Sequence, residues 1–179
     1  MNHVQPIRQL SKIEELKIIL LKQSYRNYFM FLFGINTGLR ISDILPLKVK
    51  DVRNTSHIVI KEKKTGKEKR FMINNELKSE IMRYVGNMQD EDYLFASKKG
   101  GYISRIQAYA VLNEAAKEVN LNEIGTHTLR KTFGYHFYQR TKDVALLQNI
   151  FNHSAPSVTL RYIGINQDII DSAVENFSL

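Results

Sequence analysis

Apolar residues recur at helical spacing along most of the chain. The first such pattern predicts a helix over residues 11–22, which Ser11 and Glu14 would begin with a capping box. A mostly apolar run predicts a buried second helix over 25–36, and Gly38 suits its C-terminal cap. The same spacing predicts further helices over residues 42–47, 75–85, 104–120, 127–141, 143–151, 156–162 and 167–177.

Two segments have the pattern of short β-strands instead. Residues 57–62 carry three β-branched side chains in succession, and residues 70–73 form a second short strand. Thr65 and Gly66 lie between the two segments and favour a turn. The sequence therefore predicts a β-hairpin, and the fold class is mainly α with a small antiparallel β-sheet.

Length and composition restrict the class of protein. The chain has 179 residues, enough for one sizeable core but too few for two full-sized domains. Hydrophobic residues make up 43% and charged residues 25%, as is typical of globular proteins. No apolar stretch approaches the roughly 18 to 20 residues of a membrane span, and the N-terminus lacks the apolar core of a signal peptide. We therefore expect a soluble, cytoplasmic protein.

The charge of the chain favours a polyanionic partner. Lys and Arg number 26 against 18 Asp and Glu, which gives a formal net charge of +8. Nucleic acid is the first candidate partner and an anionic membrane surface the second. Residues 61–70 alone carry six cations and two anions, so half of the net charge lies in the hairpin. The candidate DNA-binding residues are Lys61, Lys63, Lys67, Lys69 and Arg70.

The remaining polar residues suggest chemistry on a phosphate. Because the sequence has no cysteine, disulfides, thiolate nucleophiles and zinc fingers are excluded, and any nucleophile must be oxygen or nitrogen. It also has neither an acidic cluster spaced for a metal nor a glycine-rich nucleotide loop, so we expect no metal and no cofactor. Guanidinium and imidazole donors match the charge of a pentacoordinate phosphate, and a phenol can attack it. The candidates are Arg40, Lys64, His127, Arg130, His153 and Tyr162.

Four motifs that contain these residues resemble the catalytic domain of the tyrosine recombinase (phage integrase) family. They are TGLRISDIL at 37–45, KKTGK at 63–67, HTLR at 127–130 and NHSAPSVTLRY at 152–162. The resemblance extends over residues 7–179 and implies the fold of that catalytic domain. Each motif is weak alone, but their order and spacing fill all six expected catalytic positions.

The resemblance also implies a role for each matching residue. Arg40 and Arg130 would clamp the scissile phosphate, and His127 and His153 would hydrogen-bond it and assist proton transfer. Tyr162 would attack and form a 3′-phosphotyrosyl bond. Because this bond conserves the energy of the phosphodiester, the reaction would need neither ATP nor a metal.

Three further positions are compared with the family pattern. Lys64 would protonate the departing 5′-oxygen, although Lys63 is an alternative for this role. Asp43 matches an acidic position that is more often Glu, and it would orient the catalytic groups. Asn152 stands where the family usually has Gly, and Asn is one of the few other residues that tolerates a left-handed backbone.

Family members usually carry a separate N-terminal core-binding domain, which completes a clamp around DNA. We expect residues 1–179 to form a single catalytic domain without it, either as a naturally minimal protein or as a fragment of a longer one. The C-terminal helix over 167–177 has an apolar stripe. This stripe would either pack on its own domain or dock onto a neighbouring protomer in a synaptic complex.

The first hypothesis for function is a site-specific recombinase or integrase that cleaves and rejoins double-stranded DNA through Tyr162. A nicking and closing activity like that of type IB topoisomerases is the nearest alternative, because the chemistry is shared. A non-catalytic DNA-binding accessory protein is the alternative from a different class. Its basic hairpin would still give salt-dependent binding.

Overall fold

The chain folds into helices and one small sheet, which confirms the predicted fold class. The computed structural model describes residues 4–61, 66, 68–122, 124–165, 167–175 and 177–178. None of the helices described there is both long and apolar enough to cross a bilayer. The helices are α1 (Leu10–Gln23), α2 (Tyr25–Thr37), α3 (Ile41–Ile44), α4 (Asn75–Val85), α5 (Arg105–Glu118), α6 (Thr128–Thr141), α7 (Val144–Phe151), α8 (Pro156–Tyr162) and α9 (Gln167–Glu175).

The sheet is the expected hairpin of two antiparallel strands, β1 (His57–Lys61) and β2 (Glu68–Met72). Its register pairs His57 with Met72 and Lys61 with Glu68. The predicted second strand begins two residues later than β2 does, because charged residues have low strand propensity. In the structure, pairing with β1 outweighs that low propensity. Residues 62–65 and 67 lie outside the described part of the chain, and with them the predicted site residues Lys63, Lys64 and Lys67.

Side chains cap several helices at the positions where the chain changes direction. Ser24, Asn74, Ser104 and Asp143 each accept a hydrogen bond from a backbone amide in the first turn of α2, α4, α5 and α7. The capping box predicted at Ser11 is wrong. Helix α1 begins at Leu10, which puts Ser11 inside the first turn, and Glu14 pairs with Lys17 at 2.8 Å instead.

Helix α6 lies between two groups of buried apolar residues. The larger core includes Phe29 and Phe33 of α2, and the smaller one includes Leu147, Phe151 and Ile163 around α7 and α8. Two glycines allow the close approach of these elements. A Cβ at Gly34 would lie 2.5 Å from Leu129 of α6, and one at Gly134 would lie 2.7 Å from Phe151. The packing therefore fixes α6 relative to α2 on one side and α7 on the other.

We expect Gly38→Ala to destabilise the fold more than a matched glycine substitution elsewhere. Gly38 ends α2 with φ +64°, and an added Cβ would lie 2.4 Å from the Phe133 ring. Gly101 has nearly the same φ, +66°, but its Cβ would meet nothing within 4 Å. Gly101→Ala should cost about 1 to 2 kcal/mol of left-handed strain alone. Gly38→Ala should add roughly 1 to 3 kcal/mol for overpacking.

Denaturant unfolding of both variants and the wild type measures this difference in the free energy of unfolding. Equal losses for Gly38→Ala and Gly101→Ala would show that Phe133 moves away without cost, which would contradict the tight packing at the end of α2.

Candidate active site

The predicted site residues of the described chain meet where several helices begin or end. Arg40 precedes α3, directly after the left-handed turn at Gly38 that ends α2. His127 is the N-cap of α6, His153 follows α7, and Tyr162 is the last residue of α8. The turns between helices therefore bring together residues that lie more than a hundred positions apart in sequence.

Arg130 is the most firmly held of these residues. Its side chain is buried, with 3% of the residue exposed. One terminal nitrogen donates to the carbonyl of Gly38 at 2.6 Å, and the other donates to the carbonyl of Phe151 at 2.9 Å. The guanidinium also stacks over the Phe151 ring, 4.1 Å from its centroid. Arg130 therefore joins the ends of α2 and α7 while it places a positive charge between them.

Asp43 lies beside Arg40 in the structure. Nη1 of Arg40 lies 3.9 Å from Oδ2 of Asp43, one helical turn away. Asp43 is 7% exposed, whereas about a quarter of the Arg40 side chain is exposed. A buried carboxylate thus lies beside a guanidinium that solvent, or a substrate, can reach.

Both histidines contact Tyr162. Nδ1 of His127 lies 3.5 Å from the Tyr162 hydroxyl. The His153 ring meets the Tyr162 ring edge to face, with centroids 5.1 Å apart. Nδ1 of His153 lies 3.0 Å from Oγ1 of Thr159, a fully buried residue one turn before Tyr162. Because Thr159 engages Nδ1, Nε2 is the ring nitrogen of His153 that would act on a substrate.

Burial and the clustered cations change the acidity of these groups. Desolvation, followed by the charges of Arg130, Arg40 and Lys69, lowers the pKa of His153 to about 4. Desolvation and nearby cations also lower the pKa of His127. Burial raises the pKa of Tyr162, although the two arginines partly oppose that rise. At neutral pH the site therefore combines two neutral imidazoles and a phenol with fixed positive charge, which suits a bound anion.

Asn152 adopts the left-handed conformation that its position requires, with φ +54° and ψ +47°. It ends α7, and the following amide of His153 donates to the carbonyl of Gln148 at 3.1 Å. The side-chain amide of Gln148 donates in return to the carbonyl of His153. Asn152 therefore turns the chain so that His153 faces Tyr162.

The basic residues of the hairpin do not all point the same way. Lys61 and Arg70 are exposed, as a DNA-binding surface requires. Lys69 is half-buried instead, and its ammonium donates to the carbonyl of Ile150 at 3.1 Å. The reason is the strand alternation, which puts Lys69 and Phe71 on the less exposed face of β2. Lys69 thus fastens the hairpin to α7.

Sequence reasoning missed two residues that contact the site. Thr159 fixes His153, and its spacing of three from Tyr162 on α8 was the available signal. Lys131 follows the HTLR motif directly, and its ammonium lies 5.1 Å from the centroid of the Tyr162 ring. Nothing in the local pattern distinguished Lys131 from an ordinary surface lysine.

Comparisons with known proteins place the chain among integrases and recombinases. A sequence model described as the phage integrase family matches residues 7–168. "Probable integrase/recombinase YoeC" of Bacillus subtilis (strain 168) is 57% identical over 178 residues, which cover 99% of this chain and 98% of that protein. "Tyrosine recombinase XerA" of Pyrococcus horikoshii is 27% identical over 177 residues, which cover 96% of this chain but 62% of the relative.

Solved structures share the fold. The crystal structure of XerA recombinase superposes with a TM-score of 0.77 at 19% identity, covering 100% of this chain and 66% of that one. The XerH site-specific recombinase, bound to its difH substrate in a pre-cleavage complex, gives a TM-score of 0.71 at 19% identity. That match covers 99% of this chain and 55% of the XerH chain. The helices and hairpin described above thus have the architecture of tyrosine recombinase catalytic domains.

The low pKa of His153 predicts a loss of stability in acid. The ordinary histidine pKa is 6.5 and the folded value is about 4, so between these pH values the unfolded state binds the proton more readily. The free energy of unfolding should therefore fall as the pH falls from about 6.5 towards 4. His153→Gln should remove part of this slope.

Denaturant unfolding at several pH values between 7 and 4 measures the slope for both proteins. Parallel curves for wild type and His153→Gln would contradict the assignment of a depressed pKa to this residue.

Proposed function

The chain belongs to the phage integrase family of tyrosine recombinases, which are DNA breaking and rejoining enzymes, and we propose that it cleaves and rejoins duplex DNA with Tyr162 as the nucleophile. The observation that carries this proposal is the convergence of four phosphate-binding side chains on one phenol. These side chains lie at the start of α3, at the start of α6 and just after α7: Arg40, His127, Arg130 and His153.

The two arginines supply the charge that a phosphate needs. A phosphodiester under attack gathers negative charge on its non-bridging oxygens, and fixed guanidinium donors stabilise that charge. Arg130 is already held by two backbone carbonyls, so it loses little freedom when the substrate binds. Arg40 is more exposed and is oriented by the buried Asp43. In this proposal it therefore contacts the phosphate from the solvent side of the site.

The nucleophile must lose its proton as it attacks. Tyr162 is a phenol at neutral pH, and Nδ1 of His127 lies 3.5 Å from its hydroxyl. Because its pKa is lowered, His127 is neutral and can accept that proton. The Tyr162 oxygen then bonds to phosphorus as the bond from phosphorus to the 5′-oxygen breaks. The products are a 3′-phosphotyrosyl bond and a free 5′-hydroxyl, and the reverse attack by a 5′-hydroxyl rejoins the strand.

The departing 5′-oxygen needs a proton, which Lys64 would supply in this proposal. Lys69 of β2 holds the hairpin against α7, the helix that leads to His153. The described strands of the hairpin therefore lie next to the site, which supports a lysine from this hairpin as the acid. The exposed side chains of Lys61 and Arg70 would contact flanking phosphates, together with Lys63 and Lys67.

Strand exchange between two DNA sites requires several copies of the enzyme. The end of the chain supports such an assembly: Val174 is 66% exposed and Phe177 is 69% exposed, whereas Ile165 is buried in the smaller core. We therefore infer that the residues from α9 onward dock on a neighbouring copy in a synaptic complex. A solved structure that shares the fold at 14% identity, with a TM-score of 0.72, is a lambda integrase dimer bound to a COC′ core site.

The two other candidate functions are less well supported. A nicking and closing enzyme would use the same site alone, but the relatives are named integrases and recombinases. An accessory protein would not need the arrangement of His127 and Tyr162 beside two arginines. In our proposal residues 1–179 act as one catalytic domain on DNA in the cytoplasm.

Tyr162→Phe should abolish the covalent protein–DNA adduct and leave DNA affinity within about twofold of wild type, because the ring packing is kept and only the attacking oxygen is removed. Denaturing gels of nicked suicide duplexes measure the adduct, and binding at several salt concentrations measures affinity. Tyr109→Phe, on the exposed face of α5, is the matched control and should cleave normally. An adduct that persists in Tyr162→Phe would identify a different nucleophile.

Lys64→Ala should slow cleavage of ordinary DNA but not of a duplex whose 5′-leaving oxygen is replaced by sulfur, because a thiolate leaves without a proton. The ratio of the two cleavage rates is the measurement. Lys63→Ala serves as the control: a lysine that only contacts flanking phosphates should slow cleavage of both substrates equally, so the ratio of the two rates should stay at the wild-type value. Rescue of Lys63→Ala rather than Lys64→Ala would transfer the acid role to Lys63.

A further inference from the structure

Residues 4–8 form an N-terminal strap that lies along α6. The amide of Ile7 donates to Oγ1 of Thr132 at 2.9 Å, and the carbonyl of Ile7 lies 2.9 Å from Nε2 of His136. Ile7 and Thr132 are both buried, at 3% and 1% exposure. A buried backbone segment with both polar groups paired is fixed in place. The strap is therefore part of the folded domain.

The strap touches the chain on both sides of the candidate nucleophile and its base. Val4 packs against Gly125, two residues before His127, where an added Cβ would lie 2.7 Å from the valine. At the other end, Arg8 donates to the carbonyl of Gly164 at 2.8 Å, two residues after Tyr162.

Lys131 links the strap to the Tyr162 ring itself. Its ammonium donates to the carbonyl of Val4 at 2.8 Å and lies 5.1 Å from the centroid of the ring. The side chain is half-buried, so the charge is partly shielded from water. A cation in this position attracts the face of the ring and favours negative charge on the phenol oxygen.

We propose that Lys131 is a positioning residue for Tyr162, held in place by the N-terminal strap. Lys131 acts through the tyrosine and has no contact with DNA assigned to it. It fixes the plane of the ring and favours the phenolate that forms during attack, while Arg8 fixes the chain just beyond Tyr162. This inference rests on the proposed function, since it assigns a role towards the same nucleophile.

Single-turnover cleavage of nicked suicide duplexes tests the proposal. Lys131→Met keeps the length of the side chain and removes its charge and its hydrogen bond to Val4. A misplaced nucleophile costs on the order of 10- to 100-fold in rate, and we expect a loss of that size with DNA affinity unchanged. Lys131→Arg should recover part of the rate. Lys78→Met, an exposed lysine of α4, is the matched control for the loss of one positive charge.

The pH dependence separates positioning from simple packing. The charged and titratable groups around Tyr162 are Arg40 before α3, His127, Arg130 and Lys131 at the start of α6, and His153 after α7. Removing one cation from this set makes the phenolate less favourable and removes one of the charges that lower the pKa of His127. The cleavage rate of Lys131→Met should therefore rise at a higher pH than that of the wild type. Arg8→Met should slow cleavage without changing the pH at which the rate rises, because Arg8 contacts the backbone at Gly164 and not the ring.

Each outcome decides the matter. The proposal is supported if Lys131→Met cleaves slowly and its cleavage rate rises at a higher pH than that of the wild type. The proposal fails if Lys131→Met cleaves at the wild-type rate. It also fails if Lys131→Met is slow and melts at lower temperature but keeps the pH dependence of the wild type, because Lys131 would then act only through structural packing. The proposed function is judged separately by the wild type: without a wild-type adduct, that function fails and this inference fails with it.

Discussion

The site depends on one buried interaction, the pair of hydrogen bonds from Arg130 to the carbonyls of Gly38 and Phe151. A charge with so little exposure is costly unless its donors are satisfied. The backbone carbonyls at the ends of α2 and α7 satisfy two of them. Those carbonyls are themselves groups that helix ends leave without intrahelical partners. The arginine and the two helix ends therefore stabilise one another, and the chain turns immediately after each carbonyl towards Arg40 and His153.

This arrangement explains why the candidate site residues are found at helix ends. The left-handed turns at Gly38 and Asn152 stop α2 and α7 and redirect the chain within one or two residues. Close packing by Gly34 and Gly134 then brings α6 against both neighbours. Because the core fixes the helices, the short turns have little freedom, and the side chains that they carry are held near one another before any substrate arrives.

The sequence predicted most of the helices, because apolar spacing is a local signal, and the caps that the structure shows at Ser104 and Asp143 lie where two of the predicted helices begin. It failed at the start of α1, where a capping box at Ser11 was consistent with the pattern but the helix begins one residue earlier. The site residues came from motif resemblance, and the structure brings Arg40, His127, Arg130, His153 and Tyr162 together. The strap could not be predicted, since its contacts join residues more than a hundred positions apart. The contact of Lys131 with Tyr162 could not be predicted either, because it depends on how α6 packs near the end of α8.

Under the proposed mechanism, the electrostatics of the site would also restrict cleavage to bound DNA. Burial raises the pKa of Tyr162, so the free enzyme holds an unreactive phenol. The same burial and cations keep His153 neutral, which leaves the positive charge around Tyr162 on Arg40, Arg130 and Lys131. A phosphate that enters compensates this charge, and it raises the affinity of both imidazoles for a proton. In the proposed mechanism the bound phosphate thus makes His127 a better acceptor for the proton of Tyr162, so that charge couples DNA binding to activation of the nucleophile.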